Sequence, residues 1–242
     1  MHTHAENPPL TRCIAHDVTY DARDHRLVPP VRLRKCEGCW AYAVVGIIES
    51  SHIRINGADP VTTDLSEKQL IACAGRQRTQ NCRGFVIDGL RYLKGKKLMD
   101  EIYAVEDGKS LPCPEPHSSA VVELEDWDLV DPDQGMNKIA SVQKIKEALW
   151  RYGPVATSVR SNPRLVDYVK GTVFFDKPSD TADPESNHAL IIIGWDDSRE
   201  AWLVRNCWGI HWGDGGYGWI HYNTNNIGVN TFWARVKKID QG

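Results

Sequence analysis

The feature that most constrains the fold is an apolar segment, Trp40 to Ile48, that begins directly after a cysteine. Its apolar residues would cover most of the circumference of a helix, so we expect a central buried helix over 38–55. Turn-forming residues at 56–60 end the segment. Cys39 then lies in the first helical turn, where the helix dipole stabilises a thiolate. This position suits a nucleophile.

A second interpretation is that Cys36 and Cys39 form a CxxC metal or redox pair. No second CxxC and no close pair of histidines follows in the sequence to complete a zinc site. His2 and His4 are further candidate metal ligands, but a mobile, tag-like N-terminus explains them more simply. We therefore expect no metal and no cofactor.

Two further motifs lie far downstream, N-H-A-L-I-I-I-G-W at 187–195 and R-N-C-W-G-I-H-W-G-D-G-G-Y at 205–217. Together with C-E-G-C-W-A-Y-A at 36–43, they resemble the three motifs of the papain family of cysteine peptidases. The resemblance runs from about Tyr20 to the C-terminus. It implies peptide hydrolysis with Cys39 as nucleophile, His188 as base and proton donor, and Asn206 as the residue that orients His188.

The resemblance also implies an α+β fold with a helical left domain, a β-rich right domain and an active-site cleft between them. We expect an N-terminal extension over 1–19, the left domain with the nucleophile over 20–116 and the right domain with His188 and Asn206 over 117–242. Leu111–Pro116 would be the crossover. The close spacing of the predicted strands indicates an antiparallel barrel. Residue patterns predict helices over 64–73, 85–93 and 141–150, and strands over 121–130, 153–159, 168–174, 189–195, 201–205 and 216–222.

The seven cysteines give a second set of expectations. The resemblance implies disulfides Cys36–Cys82 and Cys73–Cys113, and it leaves Cys13 unassigned. Cys207 stands where the family usually has serine, so we expect a free, buried thiol there. Two disulfides favour a secreted or other oxidising compartment, whereas no signal peptide is visible at the start of the sequence. The compartment therefore stays open.

The oxyanion hole departs from the family pattern. The family has a glutamine six residues before its nucleophile, where this sequence has Leu33, which cannot donate a hydrogen bond. Loss of one such donor typically costs about 10²–10³ in rate. Arg34 has two interpretations: its guanidinium replaces the glutamine, or it is a surface arginine. Trp208 is expected to cover the hydrogen bond between His188 and Asn206, which is compatible with a role in the core.

Substrate contacts also depart from the pattern. The family's C-x-G-G turn appears as C-R-G-F at 82–85, so either Gly84 still pairs with the peptide backbone or Phe85 narrows the cleft. Phe232 falls near the base of the pocket for the second residue before the scissile bond, which predicts a shallow apolar pocket. The His-His pair of cathepsin B-like exopeptidases is absent from the sequence, so we expect an endopeptidase.

Composition bears on the expected partners. The net charge of −3 gives no argument for binding nucleic acid or an anionic membrane surface, and no apolar run approaches the roughly 20 residues that span a bilayer. We expect a monomer that binds a peptide or protein substrate, with a protein inhibitor as a further partner. Two alternatives keep the fold: a weak or inactive binding protein, and a transferase or cyclase that passes a Cys39-bound acyl group to an amine.

Overall fold

The computed structural model describes residues 17–34, 36–74, 82–101, 113, 120–182 and 185–238. The expected N-terminal extension and the Leu111–Pro116 crossover fall almost entirely outside these residues. In chain order the elements are β1 (Thr19–Asp21), α1 (Cys39–Asn56), α2 (Glu67–Ala74), α3 (Val86–Leu93), β2 (Lys97–Met99), β3 (Ala120–Leu129), α4 (Val142–Tyr152), β4 (Val155–Val159), α5 (Pro163–Val166), β5 (Val173–Phe174), β6 (His188–Asp196), β7 (Ala201–Arg205), β8 (Tyr217–His221) and β9 (Val229–Val236).

The predicted central helix is confirmed as α1, which is buried along most of its length. It packs against strands β4, β6 and β9 and against helices α2 and α3, so apolar side chains are needed around most of its circumference. Gly57 ends the helix in a left-handed conformation (φ 66°), and its N–H donates to the Ile53 carbonyl at 3.1 Å. This packing fixes the position of Cys39 at the other end of the helix.

The three remaining predicted helices are confirmed as α2, α3 and α4, with ends shifted by at most three residues. Two of them begin at serine caps. The Ser66 hydroxyl accepts from the Gln69 N–H at 3.0 Å, and the Ser141 hydroxyl accepts from the Lys144 N–H at 3.3 Å. Within the described ranges, no helix has both the length and the apolar character needed to cross a bilayer.

The strands form one sheet in the order β2-β3-β9-β4-β6-β7-β8-β5, and β1 pairs with β6. The pairs are antiparallel except β5 with β8, which is parallel. Among the described residues the strand order does not close on itself, so the predicted antiparallel barrel is not confirmed. Strand β2 is held against α2, because Gln69 hydrogen-bonds both Lys97 and Met99. The other terminal strand, β5, has only two residues.

One further strand prediction needs correction, and one strand was not predicted. The predicted strand over 168–174 is reduced to β5, because the Tyr168 hydroxyl donates to the Thr172 carbonyl at 2.6 Å and Gly171 adopts φ 78°, which makes a turn. In contrast, β9 was not predicted, although it lies between β3 and β4 within the sheet. Its side chains line the groove described below.

Two disulfides join Cys36 to Cys82 and Cys73 to Cys113, the pairs that the resemblance implied. The alternative CxxC pair is therefore not formed, because Cys36 is bonded elsewhere and Cys39 keeps its thiol. Cys207 is a free, buried thiol, as predicted. Cys13 lies outside the described residues.

Candidate active site

Cys39 is the first residue of α1 and is half-buried. The backbone N–H groups of Ala189, Trp40 and Cys39 itself donate toward the sulfur. Burial raises the pKa of the Cys39 thiol, while these donors and the positive charge of Arg34 act in the opposite direction. The thiol thus lies against the strand that begins with His188, among groups that favour its anion.

His188 begins β6 and is buried, and its Nε2 atom lies 2.9 Å from the Oδ1 atom of Asn206. The N–H of Cys207 donates to the same Asn206 atom at 2.8 Å. Since a backbone N–H can only donate, the atom that it contacts must be the amide oxygen. His188 must therefore donate from a protonated Nε2, which leaves Nδ1 as the nitrogen that can accept a proton.

Burial lowers the pKa of His188 to about 4, and the hydrogen bond that His188 donates to Asn206 opposes this shift. The charge of Arg34 lowers the same pKa further. Burial thus opposes a charge on His188 and also on Cys39.

Two local contacts fix the segments that carry His188 and Asn206. Just before β6, the Asn187 amide accepts from the Ser161 N–H at 2.7 Å and donates to the Ser161 carbonyl at 3.0 Å. Just after β7, the Asn206 N–H donates to the Gly216 carbonyl at 3.0 Å. The backbone on both sides of the His188–Asn206 hydrogen bond is therefore held in place.

Trp208 covers this hydrogen bond. Its ring stacks on the His188 ring, with centroids 4.6 Å apart and planes 20° apart. The buried Trp212 meets Trp208 edge-on at 5.6 Å, and its indole N–H donates to the Leu165 carbonyl at 2.9 Å. Exclusion of water by these rings strengthens the polar contact beneath them.

The segment 32–34 is bound to 207–209 by two backbone hydrogen bonds. The Arg34 N–H donates to the Cys207 carbonyl at 2.8 Å, and the Gly209 N–H donates to the Arg32 carbonyl at 3.2 Å. These bonds form an antiparallel bridge in which Leu33 lies opposite Trp208. The Leu33 side chain is 66% exposed and offers no donor.

Arg34 follows Leu33 in this extended segment, so its side chain leaves the opposite face of the backbone. The guanidinium is half-buried, and its Nη1 donates to the Cys36 carbonyl at 3.3 Å. Its charge lowers the pKa values of Cys39, Cys207 and His188 alike. Of Leu33 and Arg34, it is therefore Arg34 that lowers the pKa of the Cys39 thiol, through its positive charge.

Two ionisable groups beside Cys39 were not given roles by the sequence patterns. Glu37 forms an exposed ion pair with Arg83, with 2.5 Å between Oε2 and Nε, and this contact lowers the pKa of Glu37. Its charge is thereby balanced at the surface. Cys207 lies beneath the site, and burial, followed by the charge of Cys39, raises its pKa to about 12. Its thiol therefore stays protonated.

Gly84 packs directly on the first turn of α1. A Cβ atom at this position would lie 2.5 Å from the Trp40 indole ring, and the Trp40 N–H donates to the Cys82 carbonyl at 2.8 Å. Only a glycine fits this approach without movement of the ring. Phe85 follows as the residue preceding α3 and is 56% exposed.

A groove of about 490 Å³ lies between the start of α3 and the neighbouring strands β4 and β9. Phe85 contributes to one wall, and Phe232 lies at the other, although only 1% of Phe232 is exposed. Asn137 and Asn230 also line the groove and are joined by two hydrogen bonds, of 2.7 and 3.2 Å. The groove therefore has apolar and polar parts. The sequence patterns missed the asparagines, because loop residues without a motif carry no signal.

Known proteins resemble this chain in sequence and in fold. A family model described as "Papain family cysteine protease" matches residues 17–235. A cathepsin L-like protein of Caenorhabditis elegans is 28% identical over 87% of this chain, and human cathepsin O is 30% identical over 87%. The matches cover 61% and 63% of those relatives, so the chain spans less than two thirds of their length.

Solved structures share the fold. Procathepsin L 3 of Tenebrio molitor matches with a TM-score of 0.74 and 22% identity, over 90% of this chain and 69% of that chain. The bromelain protease of Ananas comosus, solved with the E64 inhibitor, matches with a TM-score of 0.71 and 22% identity, over 91% of this chain and 99% of that chain. The α+β architecture is thus the one seen in these structures.

Proposed function

Because this chain belongs to the papain family of cysteine proteases, we propose that it hydrolyses peptide bonds with Cys39 as nucleophile, His188 as base and acid, and Asn206 as the orienting residue. The observation that carries the proposal is the hydrogen bond of 2.9 Å between His188 and Asn206, at the start of the strand against which the thiol lies. This contact leaves one imidazole nitrogen available for proton transfer.

Acylation requires the thiol proton to move before the bond breaks. The Cys39 proton passes to Nδ1 of His188, and the sulfur attacks the peptide carbonyl carbon. When the carbon–nitrogen bond breaks, His188 returns that proton to the leaving amine. A Cys39 thioester remains. His188 then takes a proton from water, whose oxygen attacks the thioester, and the acid leaves as the thiol is restored.

The oxyanion of each tetrahedral intermediate needs donors. The Cys39 N–H, at the positive end of α1, supplies one. We assign the second to Arg34, because its charge acts on the thiol while Leu33 extends into solvent. A guanidinium that moves from the Cys36 carbonyl to the oxyanion would exchange a neutral acceptor for an anionic one, which forms a stronger hydrogen bond.

The acyl half of the substrate would lie in the groove between α3 and the sheet, which we equate with the cleft between a helical and a β-rich domain. Gly84 would present its backbone to the peptide, Phe85 would form the outer wall, and Phe232 would lie behind the base. We expect an endopeptidase that acts on peptides or proteins as a monomer and that a protein inhibitor could block.

The thioester is the intermediate that tests this function. The protein is mixed with an activated ester of an acylated amino acid, the reaction is stopped with acid, and the intact mass is measured. The proposal expects one added acyl group on Cys39, and none in the Cys39→Ala variant. An unmodified wild-type protein, at ester concentrations that saturate papain-like enzymes, would contradict it.

A catalytically weak binding protein is the second candidate, and the exposed Leu33 at the glutamine position favours it. The same experiment separates the two. A Cys39 that forms no thioester and is not labelled by thiol-directed electrophiles would favour the binding protein. A thioester that reacts with amines but hardly with water would instead favour the transferase or cyclase.

A further inference from the structure

A small cavity lies between α1 and the start of β6, beside Asn206. Its volume is about 10 Å³, which is room for a single water-sized atom. Three of the residues that line it are strongly polar, namely Arg32, Arg205 and Asn206. Because Asn206 also binds His188, an occupant of this cavity lies next to the proposed catalytic residues.

Each of these three residues carries a buried nitrogen atom that has no hydrogen-bond partner among the described residues. The atoms are Nε of Arg32, Nε of Arg205 and Nδ2 of Asn206. Arg205 is 6% exposed and Asn206 is 3% exposed, so bulk water does not satisfy them. Buried donors in folded proteins are nearly always paired, since an unpaired one is costly. Three such donors around one cavity indicate that its occupant accepts hydrogen bonds.

The guanidinium of Arg205 is fixed by backbone on two sides. Its Nη2 atom donates to the Pro30 carbonyl at 2.5 Å, and a Cβ atom at Gly46 of α1 would lie 2.8 Å from its Nη1 atom. Arg32 shares its charge with Asp64 and Glu49, at 2.9 and 3.7 Å. Arg205 forms no such ion pair with a described residue, and the Pro30 carbonyl is neutral. A positive charge therefore faces this part of the core.

The chemistry of the donors limits the occupant. Guanidinium and amide nitrogens donate hydrogen bonds and do not accept them. A water molecule needs acceptors for its own hydrogens, whereas the buried carboxylate oxygens that lack hydrogen bonds belong to residues outside the lining. A metal cation would be repelled by the two guanidinium groups. An anion accepts from all three donors and also balances the charge of Arg205.

We infer that this cavity binds a single monovalent anion of the chloride type, held by Arg32, Arg205 and Asn206. The small volume excludes phosphate, sulfate and carboxylates. The anion accepts from the amide nitrogen of Asn206, while His188 and Cys207 hold the amide oxygen. Both ends of the amide that orients His188 are then fixed. Binding of the anion is independent of the proposed function, and its effect on turnover rests on that function.

Thermal unfolding tests the binding. Sodium chloride replaces sodium methanesulfonate, whose anion is too large for the cavity, at a constant ionic strength of about 0.3 M, so that the screening of surface charges does not change. We expect the unfolding midpoint to rise by about 3–6 °C once chloride exceeds its Kd about 10-fold. Arg205→Met should abolish the rise. Ala43→Val, which keeps the donors but fills the cavity, is the second variant if Arg205→Met does not fold.

Arg91→Met, at an exposed position of α3, is the matched control and should keep the chloride-dependent rise. Crystals grown in bromide locate the ion, because bromine scatters anomalously and water does not. We expect an anomalous peak beside Arg205 and Asn206. An unfolding midpoint that is equal in the two salts, a rise that persists in the cavity variants, or density at this place without an anomalous signal would overturn the inference.

Turnover gives a separate measurement. We expect kcat to fall about 2- to 10-fold when methanesulfonate replaces chloride, because the Asn206 amide loses one buried hydrogen bond. KM should change little. A protein that is stabilised by chloride but cleaves no peptide would leave the anion site in place and reject the proposed function. Peptide cleavage with no response to chloride in either measurement would reject the anion site alone.

Discussion

The imidazole of His188 and the amide of Asn206 meet through a single hydrogen bond of 2.9 Å, and the amide oxygen is oriented by the N–H of Cys207 at 2.8 Å. This relationship assigns the His188 tautomer. The amide oxygen of Asn206 can only accept hydrogen bonds, so the Nε2 atom of His188 that contacts it must carry a proton. In the proposed mechanism, Cys207 therefore helps to orient the Asn206 amide through its backbone N–H.

Replacement of Asn206 by alanine should lower kcat by about 10- to 100-fold, because a buried hydrogen bond to a group that becomes charged contributes about 1.5–3 kcal/mol. KM should change little, since Asn206 contacts no substrate in this account. Steady-state kinetics measures both. Asn56→Ala, at the opposite end of α1 from Cys39, is the control and should leave kcat unchanged. An Asn206→Ala enzyme of wild-type activity would contradict the assigned tautomer.

Arg34 should matter for turnover rather than for substrate binding. We expect Arg34→Ala to reduce kcat by about 10²–10³, as for loss of an oxyanion donor, and Arg34→Lys to recover part of it. Leu33→Gln in the Arg34→Ala background should restore activity if a glutamine can donate from that position. If Arg34→Ala turned over as fast as wild type, Arg34 would be a surface arginine.

The reactivity of Cys39 should depend on His188 in a pH-dependent way. In the proposed mechanism His188 takes the Cys39 proton, so Cys39 should stay reactive in mildly acidic solution when His188 is present. In His188→Ala no such acceptor exists, and burial raises the pKa of Cys39 above that of an ordinary cysteine. The thiolate fraction then increases only as the pH rises toward that pKa, so reactivity should shift to alkaline pH.

The measurement for Cys39 is the rate of alkylation by iodoacetamide against pH, read by mass spectrometry in a Cys207→Ser background so that only one thiol remains in the site. Identical pH profiles with and without His188 would rule out the thiolate–imidazolium pair.

Gly84 should be essential for packing. The Cβ of Gly84→Ala would lie 2.5 Å from the Trp40 ring, and overpacking of this kind typically costs about 1–3 kcal/mol in the free energy of unfolding. Denaturant unfolding measures it. The same substitution in a Trp40→Phe background should cost less, because the smaller ring leaves space. Equal costs in both backgrounds would show that the indole is not the cause.

Stability should depend on pH through Glu67, which is buried beside Glu49 and Glu101. Burial, then the charges of these two carboxylates, raises the pKa of Glu67 well above its usual value of 4.5. A group of this kind contributes stability below pH 4.5, and the contribution is lost as the pH rises toward the folded-state pKa.

Glu67→Gln should therefore flatten the fall in the free energy of unfolding between about pH 4.5 and pH 7. Urea unfolding over that range tests this, with the exposed Glu147→Gln as control. A Glu67→Gln variant whose pH dependence matches that of wild type would contradict a protonated Glu67.

Much of the fold followed from local sequence patterns. The apolar circumference of α1 predicted a buried helix, and serines at 66 and 141 marked two helix starts. Strand β9 escaped prediction, since its pairing with β3 and β4 is set by tertiary contacts rather than by residue pattern. The predicted barrel is not confirmed for a related reason: which strands pair at the ends of a sheet is set by tertiary contacts.

Part of the candidate site could likewise be predicted from the sequence, and part could not. Motif residues identified Cys39, His188 and Asn206, whose catalytic roles stay proposals. The orientation of Leu33 and Arg34 on opposite faces of one extended segment could not be read from the sequence, because it depends on the backbone bridge to Trp208. The groove residues Asn137 and Asn230 lie in separate parts of the chain and meet only in the folded structure.

The most direct test of the central claim is digestion of a mixed peptide library by wild type and by Cys39→Ala in parallel, with products identified by mass spectrometry. We expect internal cleavages by wild type that are abolished in Cys39→Ala. Cleavage that persists in Cys39→Ala, or a wild-type protein that alkylates rapidly at Cys39 yet cleaves no peptide, would contradict a thiol peptidase built on this cysteine.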